Sequence, residues 1–132
     1  MKDFKLTDKM LSLGGVFYPT GYAFIMFPNS KDARQVAREL KKTGSDDILL
    51  LTPATILEEI GKAAGDSDLL LPSLGTERNT AQKYLELARE GHHALMIPVD
   101  SEEATERVMS VVRKFPFSYA QRYHMLVIED LE

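Results

Sequence analysis

Residues Ala23-Phe24-Ile25-Met26, followed by Ser30-Lys31-Asp32-Ala33, are echoed by Ala94-Leu95-Met96-Ile97, followed by Ser101-Glu102-Glu103-Ala104, with every pair offset by 71 positions. In each copy a short apolar run reaches a polar cap and a helical spacing follows, so each copy reads as a strand feeding a helix. A doubled unit of this kind restricts the chain to layered mixtures of helix and sheet. At 132 residues the chain is one domain by length, spanning 1–132, and a chain of that size buries roughly two-thirds of its unfolded surface.

Between and around the two copies the punctuation is clear. Residues 7–13 read as a short helix with Thr7 as cap, within an N-terminal extension over 1–15. Tyr18-Pro19-Thr20-Gly21 has the residue order of a type I turn, which folds 16–18 back on a strand over 22–27. Ala33, Val36, Ala37 and Leu40 follow helical spacing from Ser30 to a stop at Gly44, and 48–51 reads as a buried strand. Thr52-Pro53 is a cap with proline at the first helical position, and Leu57, Ile60 and Ala64 make one apolar stripe. After a loop over 66–75 containing Leu69-Leu70-Leu71, a second helix carries Ala81, Tyr84, Leu85 and Ala88 on one face and ends at Gly91. The second copy then runs as a strand over 93–99 and a helix opened by an Asp100-x-x-Glu103 capping box. Ala104, Val108, Val111, Val112 and Phe115 point inward, and a long last strand covers 119–128.

This order predicts an α+β, ferredoxin-like fold of two βαβ units, both crossover helices on one sheet face, with a helical insertion over 53–91 between the halves. A flavodoxin-like doubly wound α/β sheet is the alternative. No glycine-rich turn follows any strand, which counts against its nucleotide-binding versions. Tyr22, Phe24 and Met26 alternate with Ala23, Ile25 and Phe27, and Met125 and Val127 with Leu126 and Ile128, so both sheet faces are expected to be buried. The second face then needs the inserted helices, the 69–71 loop or a second subunit, and a homodimer packed through it is expected.

Composition removes several chemistries. The chain has no cysteine, so disulfides, thiolate metal sites and a cysteine nucleophile are excluded. Residues 1–13 lack the continuous apolar core of a signal peptide, and no stretch approaches the roughly 20 apolar residues of a spanning helix, so a cytoplasmic, membrane-free protein is expected. A formal net charge of −4 argues against nucleic acid. Charge is unevenly spread: 28–44 carries five basic and two acidic residues, and 45–75 one basic and six acidic, which reads most simply as solvated helix faces.

Three histidines are the groups that titrate near neutrality unaided. His92 and His93 are adjacent on a strand and point to opposite faces, and no His-x-His or His-Glu-x-x-His spacing occurs, so neither a metal nor another cofactor is expected. Asp66-Ser67-Asp68 opens like a calcium loop, but Leu70, Pro72 and Gly75 break the ligand spacing and it reads as a turn. No serine sits in a nucleophile elbow, no P-loop occurs, and no catalytic residue is assigned. The ligand-binding candidates are Arg122, His124, Tyr123, His93 and Tyr22. Arg122 and His124 share a strand face, with Tyr123 on the opposite one, and Tyr22 and His93 are brought toward them from neighbouring strands. In a pocket there, Arg122 would hold an anion while His124 or Tyr123 adjusts a proton. The simpler reading is a strand end or an interface salt bridge, and it is preferred.

The strand, polar step and helical Ala/Val/Leu spacing at 27–44 and 94–115, with the closing run from Tyr123 to Leu131, resembles small bacterial stress-associated domains of the heat-induced or general-stress protein family. The chain departs from that pattern in lacking a glycine-rich middle segment. The resemblance implies a ferredoxin-like fold and an unassigned stress or regulatory role, and carries over no functional residues. The leading functional reading is a non-enzymatic, self-associating domain that binds a small ligand or a partner protein. A dimeric α+β barrel enzyme acting on a small organic substrate through His124, Arg122 and His93 is the first alternative. An RNA-binding sheet with Tyr22, Phe24 and Tyr123 stacked on bases is the second.

Overall fold

The computed structural model describes residues 2–4, 6–7, 10–11, 16–64, 76–125 and 127–132. The elements are β1 (Lys2–Asp3), β2 (Tyr22–Phe27), α1 (Ser30–Lys42), β3 (Leu49–Leu51), α2 (Pro53–Thr55), a π-helical stretch (Ile56–Ile60), α3 (Gly61–Ala64), α4 (Thr76–Arg89), β4 (His93–Pro98), α5 (Glu102–Val112), β5 (Tyr119–Tyr123) and β6 (Ile128–Asp130). They form an α+β domain whose sheet has the order β1-β3-β4-β2-β5-β6. Among the described residues every pairing is antiparallel except β1 with β3, so the doubly wound parallel alternative is excluded.

The repeated units are the centre of this sheet. β2 and β4, the two copies of the apolar run, pair along their whole length from Tyr22↔Pro98 to Phe27↔His93. α1 starts at Asn29, whose Oδ1 accepts from the Asp32 N–H at 2.9 Å, and α5 starts at Ser101, whose Oγ accepts from Ala104 N–H at 3.0 Å. The expected Asp100-x-x-Glu103 capping box does not form: the cap is Ser101, and the residue three positions on is Ala104, which has no side-chain acceptor to return the bond. α1 and α4 both end in the same six-residue lock: Ser45 N–H bonds the Leu40 carbonyl, and His92 N–H the Leu87 carbonyl. That lock puts Gly44 at φ +99° and Gly91 at φ +94°, where a side chain would be strained.

Both faces of the sheet are buried. On one, Ala23, Ile25, Phe27, Leu95 and Ile97 pack under α1 and α5 with Val36, Leu40, Val108 and Val112. On the other, Phe24, Met26, Leu51, Ala94, Met96 and Tyr123 lie beneath Ile56 and Ile60 of the π-helical stretch and Ala81, Tyr84 and Leu85 of α4. Of the three covers anticipated for this second face, the insertion supplies one, so the surface on which a homodimer was expected is occupied by the chain's own helices. The 69–71 loop, like the 66–68 turn, lies outside the described residues.

In the N-terminal extension β1 joins the sheet edge beside β3, and Phe4 is buried on the second face. Several expectations are corrected. Within 7–13 the Met10 N–H bonds the Thr7 carbonyl at 2.9 Å, and the rest of that segment is largely outside the described residues. Residues 16–18 do not pair with β2; Phe17 bridges Leu11, and Tyr18 N–H bonds the Met10 carbonyl. The turn before β2 closes from Tyr22 N–H to the Pro19 carbonyl at 3.2 Å, one residue later than expected. In the insertion the inward stripe is Ile56 and Ile60, while Leu57 is exposed, because a spacing of four residues, not three, faces the sheet here. The long last strand is two strands: it turns over 124–127 and returns as β6, so that Ile128 reaches the second core and Leu131 the first.

Candidate functional site

The turn at 124–127 assembles a charged cluster around two of the five candidates. β5 and β6 pair Arg122 opposite Glu129 and Tyr123 opposite Ile128, and His124 N–H bonds the Val127 carbonyl at 2.9 Å. Arg122 lies on the α1/α5 face, 8 % exposed, with Nη1 3.5 Å from Oε1 of Glu102 at the start of α5. His124 Nε2 lies 2.9 Å from Oε1 of Glu129. The anions beside Arg122 and His124 are thus the chain's own carboxylates. Glu129, set directly across from Arg122, links the two candidates. Neither glutamate was singled out as a partner in the sequence, because the pairing of 122 with 129 exists only once the hairpin is recognised.

The other three candidates go elsewhere. Tyr123 is 1 % exposed on the opposite face, with its hydroxyl 2.8 Å from that of Tyr84 and its ring edge-on to Tyr18 at 4.9 Å. Tyr22 is half-buried against the same core. His93 pairs with Phe27, four residues along β2 from the Ala23 that pairs with Arg122, which separates them by about 13 Å of strand. Burial lowers the His93 pKa below its ordinary value, a nearby carbonyl of Gly91 opposes this, and Arg34 of α1 adds to it. His92 is held by the Ser118 hydroxyl at 2.8 Å.

Burial also bears on the two alternative functions. Phe24 and Tyr123 are covered, so neither ring is presented to a base. The space between sheet and α4, where a barrel enzyme would enclose substrate, is filled at this point by Phe24 stacked on Tyr84 at 4.0 Å, with Phe17 edge-on to both at 5.7 and 6.2 Å.

Beside the hairpin, α5 and the C-terminal strand border an open cleft of about 420 Å³ lined by Glu102, Glu103, Glu106, Glu129 and Glu132, and by Asp130, whose carboxylate turns to the other face and accepts from Gln121. Arg113 grips its far end: Nη1 and Nη2 reach both oxygens of Glu106 at 2.7 and 3.2 Å, and Nε donates to the Glu132 carbonyl at 2.7 Å. That bidentate contact lowers the Glu106 pKa and raises that of Arg113. At the tip of the hairpin Met125 is 79 % and Val127 60 % exposed. A second cleft, of about 470 Å³, lies between the 43–47 turn and 98–100 and is lined by Asp46, Asp47, Asp100 and Arg107. None of the five candidates borders it. Among the described residues no three His, Asp or Glu side chains gather as a metal set, and no helix is long and apolar enough to cross a membrane.

No family model, curated protein or solved structure matches this chain, so the resemblance to stress-associated domains gains nothing from those comparisons and the functional reading rests on the geometry above.

Proposed function

We propose that this chain is a non-catalytic binding domain on a ferredoxin-like frame, and that it docks a basic protein partner at the β5–β6 hairpin. The frame is supported by the central strand order β3-β4-β2-β5, with α1 and α5 on one face, which is the order two βαβ halves produce. The observation that carries the binding reading is the exposure of Met125 and Val127 at the tip of a hairpin flanked by the acidic cleft. Large apolar side chains held at the surface within a charged rim have the composition of an interaction site, with apolar anchors for affinity and charge for orientation. Arg122 and His124 serve this surface from within by bracing Glu102 and Glu129.

The test is a peptide-display selection on the folded protein, with counter-selection on a Met125→Ser/Val127→Ser variant. The expected binders are enriched in Lys and Arg with apolar residues, weaken as salt is raised, and fail on the variant. Binders that are acidic, or that bind the variant equally well, refute the reading.

A further inference from the structure

We propose that the partner binds by adding a strand to the free edge of β6, as an extended segment in which Lys or Arg alternates with apolar residues. This rests on the docking role proposed above and specifies its mechanism.

The hydrogen-bond phase of the hairpin shows which groups are available. His124 N–H bonds Val127 and Leu131 N–H bonds Ala120, so residues 127, 129 and 131 turn their backbone groups inward to β5. Ile128 and Asp130 therefore direct their N–H and C=O outward, and among the described residues no strand lies beyond β6. An added strand has two N–H and two C=O groups to pair with, and apolar anchors in Met125 and Val127 at one end. Side chains of an added strand alternate between faces. On the α5 side they meet Glu129 and the acidic cleft, and on the other side Ile128 and Asp130, whose carboxylate already accepts from Gln121 Nε2 at 2.6 Å. That dictates the partner's alternation, with basic residues on the first side and apolar ones on the second.

The same geometry selects against a second copy. An antiparallel two-fold pairing of β6 with itself through Ile128 and Asp130 sets each Glu129 directly opposite the same residue of the other copy. Facing like charges at that close, non-hydrogen-bonded position oppose pairing. A basic strand meets the opposite situation, since its Lys or Arg residues on the α5 side neutralise Glu129 as it binds.

The experiment uses three synthetic peptides: an alternating Lys-Val heptapeptide, its Glu-Val counterpart, and the Lys-Val peptide N-methylated at every second residue on its pairing edge. Binding is followed by calorimetry and by amide hydrogen exchange of the protein. The expected result is that the Lys-Val peptide binds and slows exchange of the Ile128 and Asp130 amides by about tenfold or more at saturation. Its methylated form binds about tenfold or more weakly, and the Glu-Val peptide does not bind. Binding that is salt-sensitive and needs Met125 and Val127, but leaves those two amides unprotected, overturns strand addition while the docking role survives. No binding of the Lys-Val peptide in either form overturns both. Protection of the two amides in the protein alone, growing with its concentration, overturns the basic partner in favour of a second copy.

Discussion

Replacing Tyr84 with Phe removes a single oxygen from the second core and tests whether that core is held by a specific buried bond or by ring packing alone. Tyr84 and Tyr123 are essentially inaccessible, and their hydroxyls lie 2.8 Å apart. The Tyr84 ring is kept in place by Phe24 at 4.0 Å and by Phe17 and Tyr119 edge-on, none of which the substitution disturbs. What changes is that the buried Tyr123 hydroxyl loses this partner, at a cost of about 1–3 kcal/mol. A chain of this length changes its melting temperature by about 3–4 °C per kcal/mol, so Tyr84→Phe is expected to melt roughly 3–12 °C lower. Tyr123→Phe should behave alike, and the double variant should lose about 1–2 kcal/mol less than the two single effects combined. Thermal and urea unfolding of the four proteins by circular dichroism gives the cycle. Single effects that simply add, to within about 0.3 kcal/mol, would refute the bond.

The same pair predicts an alkaline signature. Burial, then the charge and hydrogen bond of Tyr123, hold the Tyr84 hydroxyl well above the usual tyrosine pKa. The unfolded chain ionises this group near pH 10, whereas the folded one does not. Its stabilising contribution is therefore complete below about pH 10 and is lost as pH rises toward the folded value. Stability should fall steeply above pH 10 in the native protein and less steeply in Tyr84→Phe.

Met125→Ser and Val127→Ser should leave the melting temperature nearly unchanged, because exposed substitutions away from packed sites cost within about 0.5 kcal/mol, while abolishing binding of basic peptides in calorimetry. Leu40→Ala, at a fully buried position on the inner face of α1, should cost about 2–5 kcal/mol in urea unfolding; a loss below 1 kcal/mol would mean that the first core is not packed as described. His93 has a lowered folded pKa, so its contribution is present above its unfolded value near 6.5 and lost as pH falls through the folded value. His93→Gln should flatten the stability decline between pH 7 and pH 5, and an unaltered slope would contradict the burial-driven shift.

Which parts of this were legible follows from how local each signal is. The helix stops at Gly44 and Gly91, the Thr52-Pro53 start and the inward faces of α1 and α4 were readable, because each depends on residues within two turns of one another. The two-sided burial of β2 was readable from its uninterrupted apolar run. The hairpin was not: 119–130 contains no glycine or proline to mark a turn, and the reversal is set by distant packing, Ile128 against one core and Leu131 against the other. Without the turn Glu129 has no place opposite Arg122, so the sequence offers a strand end, an interface salt bridge or an anion pocket for this cluster but not the chain's own carboxylates as its anions. Tyr123 was assigned to the correct face, but its burial depends on Tyr84, 39 positions away.

The placement of charge explains how so apolar a tip can remain at the surface. The inserted helices cover the second sheet face and α1 and α5 the first, which leaves β6 as a described edge with outward backbone groups. An edge bearing Met125, Val127 and Ile128 is a template for self-pairing unless something opposes it. Here Glu129 and Asp130 provide the opposition. Replacing both with their amides keeps the shape and the hydrogen-bonding capacity toward His124 and Gln121 but removes the repulsion. Glu129→Gln/Asp130→Asn is thus expected to dimerise at concentrations where the native chain stays monomeric in light scattering, and the dimer should be insensitive to salt. Should the variant remain monomeric at the highest attainable concentration, the carboxylates are not what holds the edge apart, and the electrostatic argument for a basic partner loses its basis.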